Sequence, residues 1–141
     1  MNKDIKIYFA GSIRGAEADR KNYLRIIKEL KKRYIVLTEH VGNEKMLHKE
    51  KKLTDKEIES RDMRWLKEAD FVVAEITSPS HGVGIELNES KHQKKPILCI
   101  HKNNDKKISA MISGCDDFFV ASYTNIDDAI SHVESFVKKN Q

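Results

Sequence analysis

The sequence predicts a doubly wound parallel α/β sheet of five strands. Three observations carry that reading. Short apolar runs rich in β-branched and aromatic residues recur along the chain, amphipathic helical stretches separate them, and the loops after the first and third runs are the Gly/Ser-rich ones. Strands that alternate with helices pair in parallel and are covered on both faces, because their crossovers take one hand.

The elements follow in order. Lys6 to Ala10 reads as the first strand, and Tyr23, Ile27, Leu30 and Tyr34 share one stripe of the helix after it. Tyr34 to Thr38 is the second strand. The charged segment 42–59, punctuated only by Met46, Leu47 and Leu53, reads as a solvated loop, an exposed helix or a flap beside the site. A helix over roughly Glu57 to Glu68 puts Ile58, Asp62, Trp65, Leu66 and Ala69 on a common stripe. Asp70 to Ile76 is the third strand, followed by a helix expected to carry Glu86 in its first turn. Pro96 to Ile100 and Asp117 to Ala121 complete the sheet, and all five runs read as buried strands. The last helix places Ile126, Ile130, Val133 and Val137 on one stripe, with Thr124 as its expected N-cap and Asp127 in its first turn. In the flavodoxin-like, Rossmann-like order of five strands, the direction of winding reverses between the first and third strands. Ligands bind there, beyond the carboxyl ends.

Composition narrows the function. At 141 residues the chain fits a single domain, 1–141. A 39% hydrophobic and 34% charged content, with a mean hydropathy of −0.61, describes a globular protein with a solvated exterior. No run approaches the ~18–20 apolar residues of a membrane span, and the N-terminus lacks a signal-peptide layout, so a cytoplasmic protein is expected. The net charge of +4 arises from basic residues interleaved with acidic ones, which suits a small anion better than a nucleic-acid polymer. Cys99 and Cys115 sit in or beside apolar segments and read as ordinary buried thiols, and the histidines show no metal-ligand spacing. No metal and no cofactor is expected.

The residues suited to chemistry gather in the two loops and on the stripe of Asp62. The first loop, Gly11-Ser12-Ile13-Arg14-Gly15, offers backbone N–H groups, a hydroxyl and a permanent cation to a phosphate, though a plain strand-to-helix turn uses similar residues. It is neither a Walker A sequence nor GxGxxG. The third loop brings Ser80, Gly82 and Gly84 ahead of Glu86, which the helix N-terminus is expected to hold ionised, with mere dipole complementation as the bland alternative. Asp62 on an apolar stripe implies either a salt bridge to a lysine or arginine or a carboxyl poised for proton transfer. His40 follows the second strand as a ligand contact or a structural histidine. Two acids and Tyr8 around an anion-binding loop describe glycosidic-bond cleavage.

Five segments in order, Tyr8 to Gly15, Leu37 to Val41, Asp62 to Asp70, Val72 to Leu87 and Ile108 to Gly114, closely resemble the 2'-deoxynucleoside 5'-phosphate N-hydrolases of the nucleoside 2-deoxyribosyltransferase superfamily. The resemblance implies hydrolysis of a (2'-deoxy)nucleoside 5'-monophosphate to free base and (2-deoxy)ribose 5-phosphate, without cofactor. It implies Glu86 as nucleophile, Tyr8 as the residue that orients it, and Asp62 as the acid that assists sugar binding and proton transfer. Gly11, Ser12, Ile13, Arg14 and Gly15 then line the nucleotide, with His40 on the base side and Ser80, Gly82 and Gly84 near the phosphate. Ser109, beside Met111, would reach the neighbouring subunit's phosphate site in a homodimer. Position 85 is isoleucine here where similar proteins carry tyrosine. A nucleoside 2-deoxyribosyltransferase, a ribonucleotide N-hydrolase of the CMP type and a non-catalytic nucleotide sensor are the alternatives.

Overall fold

The computed structural model describes residues 4–13, 17–39 and 53–141. The elements are β1 (Lys6–Ala10), α1 (Glu17–Leu30), β2 (Ile35–Leu37), α2 (Asp55–Glu68), β3 (Phe71–Glu75), α3 (His81–His92), β4 (Ile97–Lys102), α4 (Ala110–Ser113), β5 (Phe118–Tyr123) and α5 (Ile126–Asn140). All strands are parallel in the order β2-β1-β3-β4-β5, so the winding reverses between β1 and β3, as the sequence predicts. Residues 42–52 of the charged segment lie outside the described residues, and residues 55–59 open α2.

Alternation along the central strands builds two cores. Ile7, Phe9, Phe71 and Val73 pack with Tyr23, Ile27, Leu30 and Tyr34 and with Ile130, Val133 and Val137, so both amphipathic stripes bury as expected. On the other face Tyr8, Ala10, Val72 and Ala74 meet Leu66, Ala69, Val83 and Leu87. The second and fifth runs depart from the buried strands expected of them. Ile35 on β2 and Phe119 and Val120 on β5 are exposed, because each of these strands is an edge with one neighbour.

Local chemistry fixes the helix ends. Thr54 and Glu57 form a reciprocal capping box at the start of α2. Asn125, rather than Thr124, caps α5: its backbone is extended and its Oδ1 accepts the Asp128 N–H at 2.8 Å. Thr124 instead donates its own N–H to Asp128 Oδ2 at 3.0 Å. Helix α3 ends with Lys94 at φ 59°, the Lys95 N–H reaching Ser90 O and the Lys94 N–H reaching Lys91 O. This is the Schellman pattern with lysine where glycine is preferred. The next side chain, Lys95, donates to Lys67 O at 2.9 Å and Ala69 O at 2.5 Å, tying the end of α2 to the end of α3. Both cysteines are free thiols: burial of Cys99 in β4 pushes its thiol up to about 12, whereas Cys115, in the link between α4 and the edge strand β5, is only half-buried rather than buried as expected. Among the described residues no helix is long and apolar enough to cross a membrane.

Lys94→Gly removes the Cβ penalty of the left-handed conformation. Urea denaturation is expected to show a gain of about 0.5–1 kcal/mol with an unchanged slope; a loss of stability would contradict strain at this position.

Candidate active site

The centre of the site is a hydrogen bond between the sheet and a helix. Tyr8 points from β1 into the face covered by α2 and α3, and its hydroxyl donates to Glu86 Oε2 at 2.5 Å. Helix α3 starts at His81, which puts Glu86 in its second turn rather than the first turn the sequence suggests. The helix terminus therefore does not set its charge. Burial dominates and pushes the Glu86 carboxyl up to about 7; the Tyr8 bond pulls the other way, and the negative charge of Glu39 adds to the rise. The Tyr8 hydroxyl is itself raised, by burial first and then by the charge of Glu86. A half-buried carboxyl of this kind has both forms available near neutrality.

Charged residues from two further elements adjoin this pair. Arg61 on α2 meets Asp62 Oδ1 through Nε at 3.2 Å and Glu39 Oε1 through its terminal nitrogen at 3.4 Å. Its guanidinium carbon lies 4.5 Å from the centre of the Trp65 ring. Asp62 is buried on the apolar stripe, as expected, and its Oδ1 pairs with Arg61. Arg61 and Glu39 both act electrostatically on Tyr8, which links Asp62 to the central pair through Arg61. Sequence reasoning passed over Glu39 and Arg61, although each is the immediate neighbour of a residue it chose, His40 and Asp62.

The β3–α3 loop supplies the polar end. Ser80 is the N-cap of α3, its Oγ accepting the Val83 N–H at 3.3 Å. Gly82 and Gly84 lie inside the first turn of α3 rather than in a loop ahead of it, and neither has positive φ. Their value is space. A Cβ on Gly82 would sit 3.7 Å from Glu86 Oε1 and 3.8 Å from Ser80 Oγ, so carboxylate and hydroxyl border the same open patch of helix. Ser80 and Gly84 also line a groove of about 600 Å3 with Ser109 and Met111. Ser109 caps the short helix α4, and Met111 is 83% exposed.

Of the first loop, Gly11 lets the Tyr23 ring of α1 approach within 3.1 Å of where a Cβ would stand, Ser12 is buried, and Ile13 is exposed. Arg14, Gly15 and His40 lie outside the described residues. Among the described residues no three of His, Cys, Asp and Glu gather as a metal site would require.

This geometry occurs within a stretch, residues 7–135, that matches the family described as nucleoside 2-deoxyribosyltransferase. The chain belongs to that family. It is similar to the 5-hydroxymethyl-dUMP N-hydrolase of Tetraodon nigroviridis, 42% identical over 125 residues that cover 84% of this chain and 88% of the relative. It is also 45% identical over 128 residues to a putative 2'-deoxynucleoside 5'-phosphate N-hydrolase 1 of Nematostella vectensis, covering 86% of this chain and 87% of the relative. The solved CMP N-glycosidase of Clostridium botulinum shares the fold, with a TM-score of 0.62 at 15% identity over 93% of this chain and 98% of that one. Tyr8 and Glu86 both fall inside the matched stretch.

Because its folded pKa, about 7, exceeds the ordinary 4.5, Glu86 stabilises the fold in its neutral form; that contribution is complete below 4.5 and is lost as pH rises through 7. Glu86→Gln, which stays neutral, should exceed the wild type in stability by about 1–2 kcal/mol above about pH 8 and match it near about pH 4; denaturation at the two pH values checks this. In a carboxyl NMR titration, Tyr8→Phe should move the Glu86 midpoint up and Glu39→Gln should move it down. Shifts of one sign for both variants would refute the assigned causes.

Proposed function

We propose that the protein hydrolyses the N-glycosidic bond of (2'-deoxy)nucleoside 5'-monophosphates, releasing free base and (2-deoxy)ribose 5-phosphate. The observation that carries this reading is the open patch of α3 bordered at once by the Tyr8-bound Glu86 carboxylate and by the Ser80 hydroxyl. One group faces an anomeric carbon, and the other suits a phosphate a sugar's width away.

In this reading the Glu86 anion attacks C1' as the bond to the base breaks, giving a glycosyl ester and the base, which takes up a proton. Water then attacks C1', Glu86 leaves as carboxylate, and the sugar phosphate departs. Tyr8 orients Glu86 and favours its ionised form. Asp62, held by Arg61, assists sugar binding and proton transfer; His40 serves the base side, and Gly11, Ser12, Ile13, Arg14 and Gly15 line the nucleotide. Phosphate binding by Ser80 and the N–H groups of His81 and Gly82 at the start of α3, with Gly82 and Gly84 leaving room for the substrate, supplies orientation far from the reacting carbon. No cofactor takes part.

Residues 1–141 act as one domain, and the working unit is a homodimer in which Ser109 reaches the neighbouring subunit's phosphate. The exposed apolar side chains Met111 and Ile85, on α4 and α3, support a face covered by a second copy. The protein works in the cytoplasm and needs neither a membrane nor a nucleic-acid polymer.

Base release from a panel of ribo and deoxy nucleoside monophosphates, with and without an acceptor base, tests the reading. Release without acceptor is expected, rising with pH through about 7 as Glu86 ionises; release only with acceptor would make the protein a transferase. Glu86→Gln should lower turnover by at least about a thousandfold while folding is retained. Mixing Ser109→Ala with Glu86→Ala subunits should restore some sites in verified heterodimers; no rescue would argue against the shared site.

A further inference from the structure

The face of the sheet opposite Glu86 carries a fully buried acid. Glu75, the last residue of β3, points with Phe71 and Val73 toward α1 and α5 and has no exposed surface. Burying a carboxylate at a strand end is costly unless donors surround it, and here three do. Thr77 donates its N–H to Oε1 at 2.7 Å and its hydroxyl to Oε2 at 2.9 Å, and the Tyr123 hydroxyl of β5 also donates to Oε2. Asn22 of α1 donates to the Tyr123 oxygen at 2.5 Å, and Thr77 Oγ1 accepts the Lys102 N–H of β4 at 2.9 Å. One residue further, the Ser78 hydroxyl donates to Asp19 of α1 at 2.7 Å, and Lys102 pairs with the same carboxylate at 3.4 Å.

These bonds converge on Thr77 and Ser78, the short link between β3 and the Ser80 cap. Backbone at such a link is ordinarily free to shift, because loops lack ladder hydrogen bonds. Here α1, β4 and β5 all fix it. We propose that Glu75 is a positioning residue for the phosphate end of the site, acting through Thr77 and Ser78 to hold Ser80 and the first turn of α3 at the distance the substrate requires. Glu86 is anchored separately, by Tyr8 and by the packing of Val83 and Leu87, so Glu75 governs phosphate binding more than bond cleavage. Glutamine replaces it imperfectly: its NH2 group can only donate, so the Thr77 and Tyr123 hydroxyls lose the acceptor oxygen they share.

The inference rests on a nucleoside monophosphate substrate, and its test separates the two. In Glu75→Gln and Thr77→Val, KM for a deoxynucleoside monophosphate and the dissociation constant of inorganic phosphate should rise about tenfold, with kcat within about twofold. Kinetics on the unphosphorylated deoxynucleoside should be unchanged. A fall in kcat at constant KM, or equal losses on both substrates, would overturn the assignment. If Glu75→Gln does not fold, Thr77→Val and the half-exposed Ser78→Ala carry the same comparison. If the wild type releases base from no nucleotide, the proposed activity fails alone, and calorimetric phosphate affinity in wild type and Thr77→Val still decides the positioning role.

Discussion

The Tyr8–Glu86 hydrogen bond is the constraint around which the molecule is arranged. A carboxylate on the buried side of a helix is unfavourable, and a tyrosine hydroxyl in the adjoining strand makes it tolerable. For the two to meet, β1 must lie under α3, which in turn requires β1 and β3 to be neighbours and the crossover through α3 to lie on the same face. The sheet order at the reversal point is the architectural expression of that one contact.

The two faces of the sheet divide the work by parity. Along β3 the even-numbered side chains pack under α2 and α3, on the face of Tyr8, and the odd-numbered ones end in Glu75. Adjacent residues of one strand thus serve opposite sides of the molecule, and the loop that leaves β3 answers to both. Glu86 and Glu75 each have their own donors, and no bond joins one set to the other among the described residues.

Much of this was legible in the chain because periodicity is a local signal. Apolar runs and helical stripes located the strands and the faces of α1, α2 and α5, and family likeness pointed to Tyr8, Asp62, Glu86, Ser80 and Ser109. Register at helix starts was less legible. Ser80 is as good a cap as any residue four positions later, and only the observed start at His81 moves Glu86 away from the helix terminus and lets burial decide its charge. Edge exposure of Ile35, Phe119 and Val120 is a property of sheet order, which composition does not contain. Arg61 and Glu39 meet only after two segments 22 positions apart fold together, so nothing local marks them as a pair. Glu75 hid inside an apolar run for the same reason: its donors come from Thr77 next door but also from Tyr123, 48 residues away.

Ser80 has one further consequence. A single oxygen starts α3 by accepting the Val83 N–H, and its proton stays free to turn toward an anion. Helix capping alone would accept aspartate or asparagine as readily, but in the proposed role aspartate would set a negative charge against the phosphate and has no hydrogen to give. Under the proposed phosphate role, position 80 is filtered twice, once by folding and once by chemistry, and what passes both is a short neutral side chain with an oxygen to accept and a hydrogen to donate.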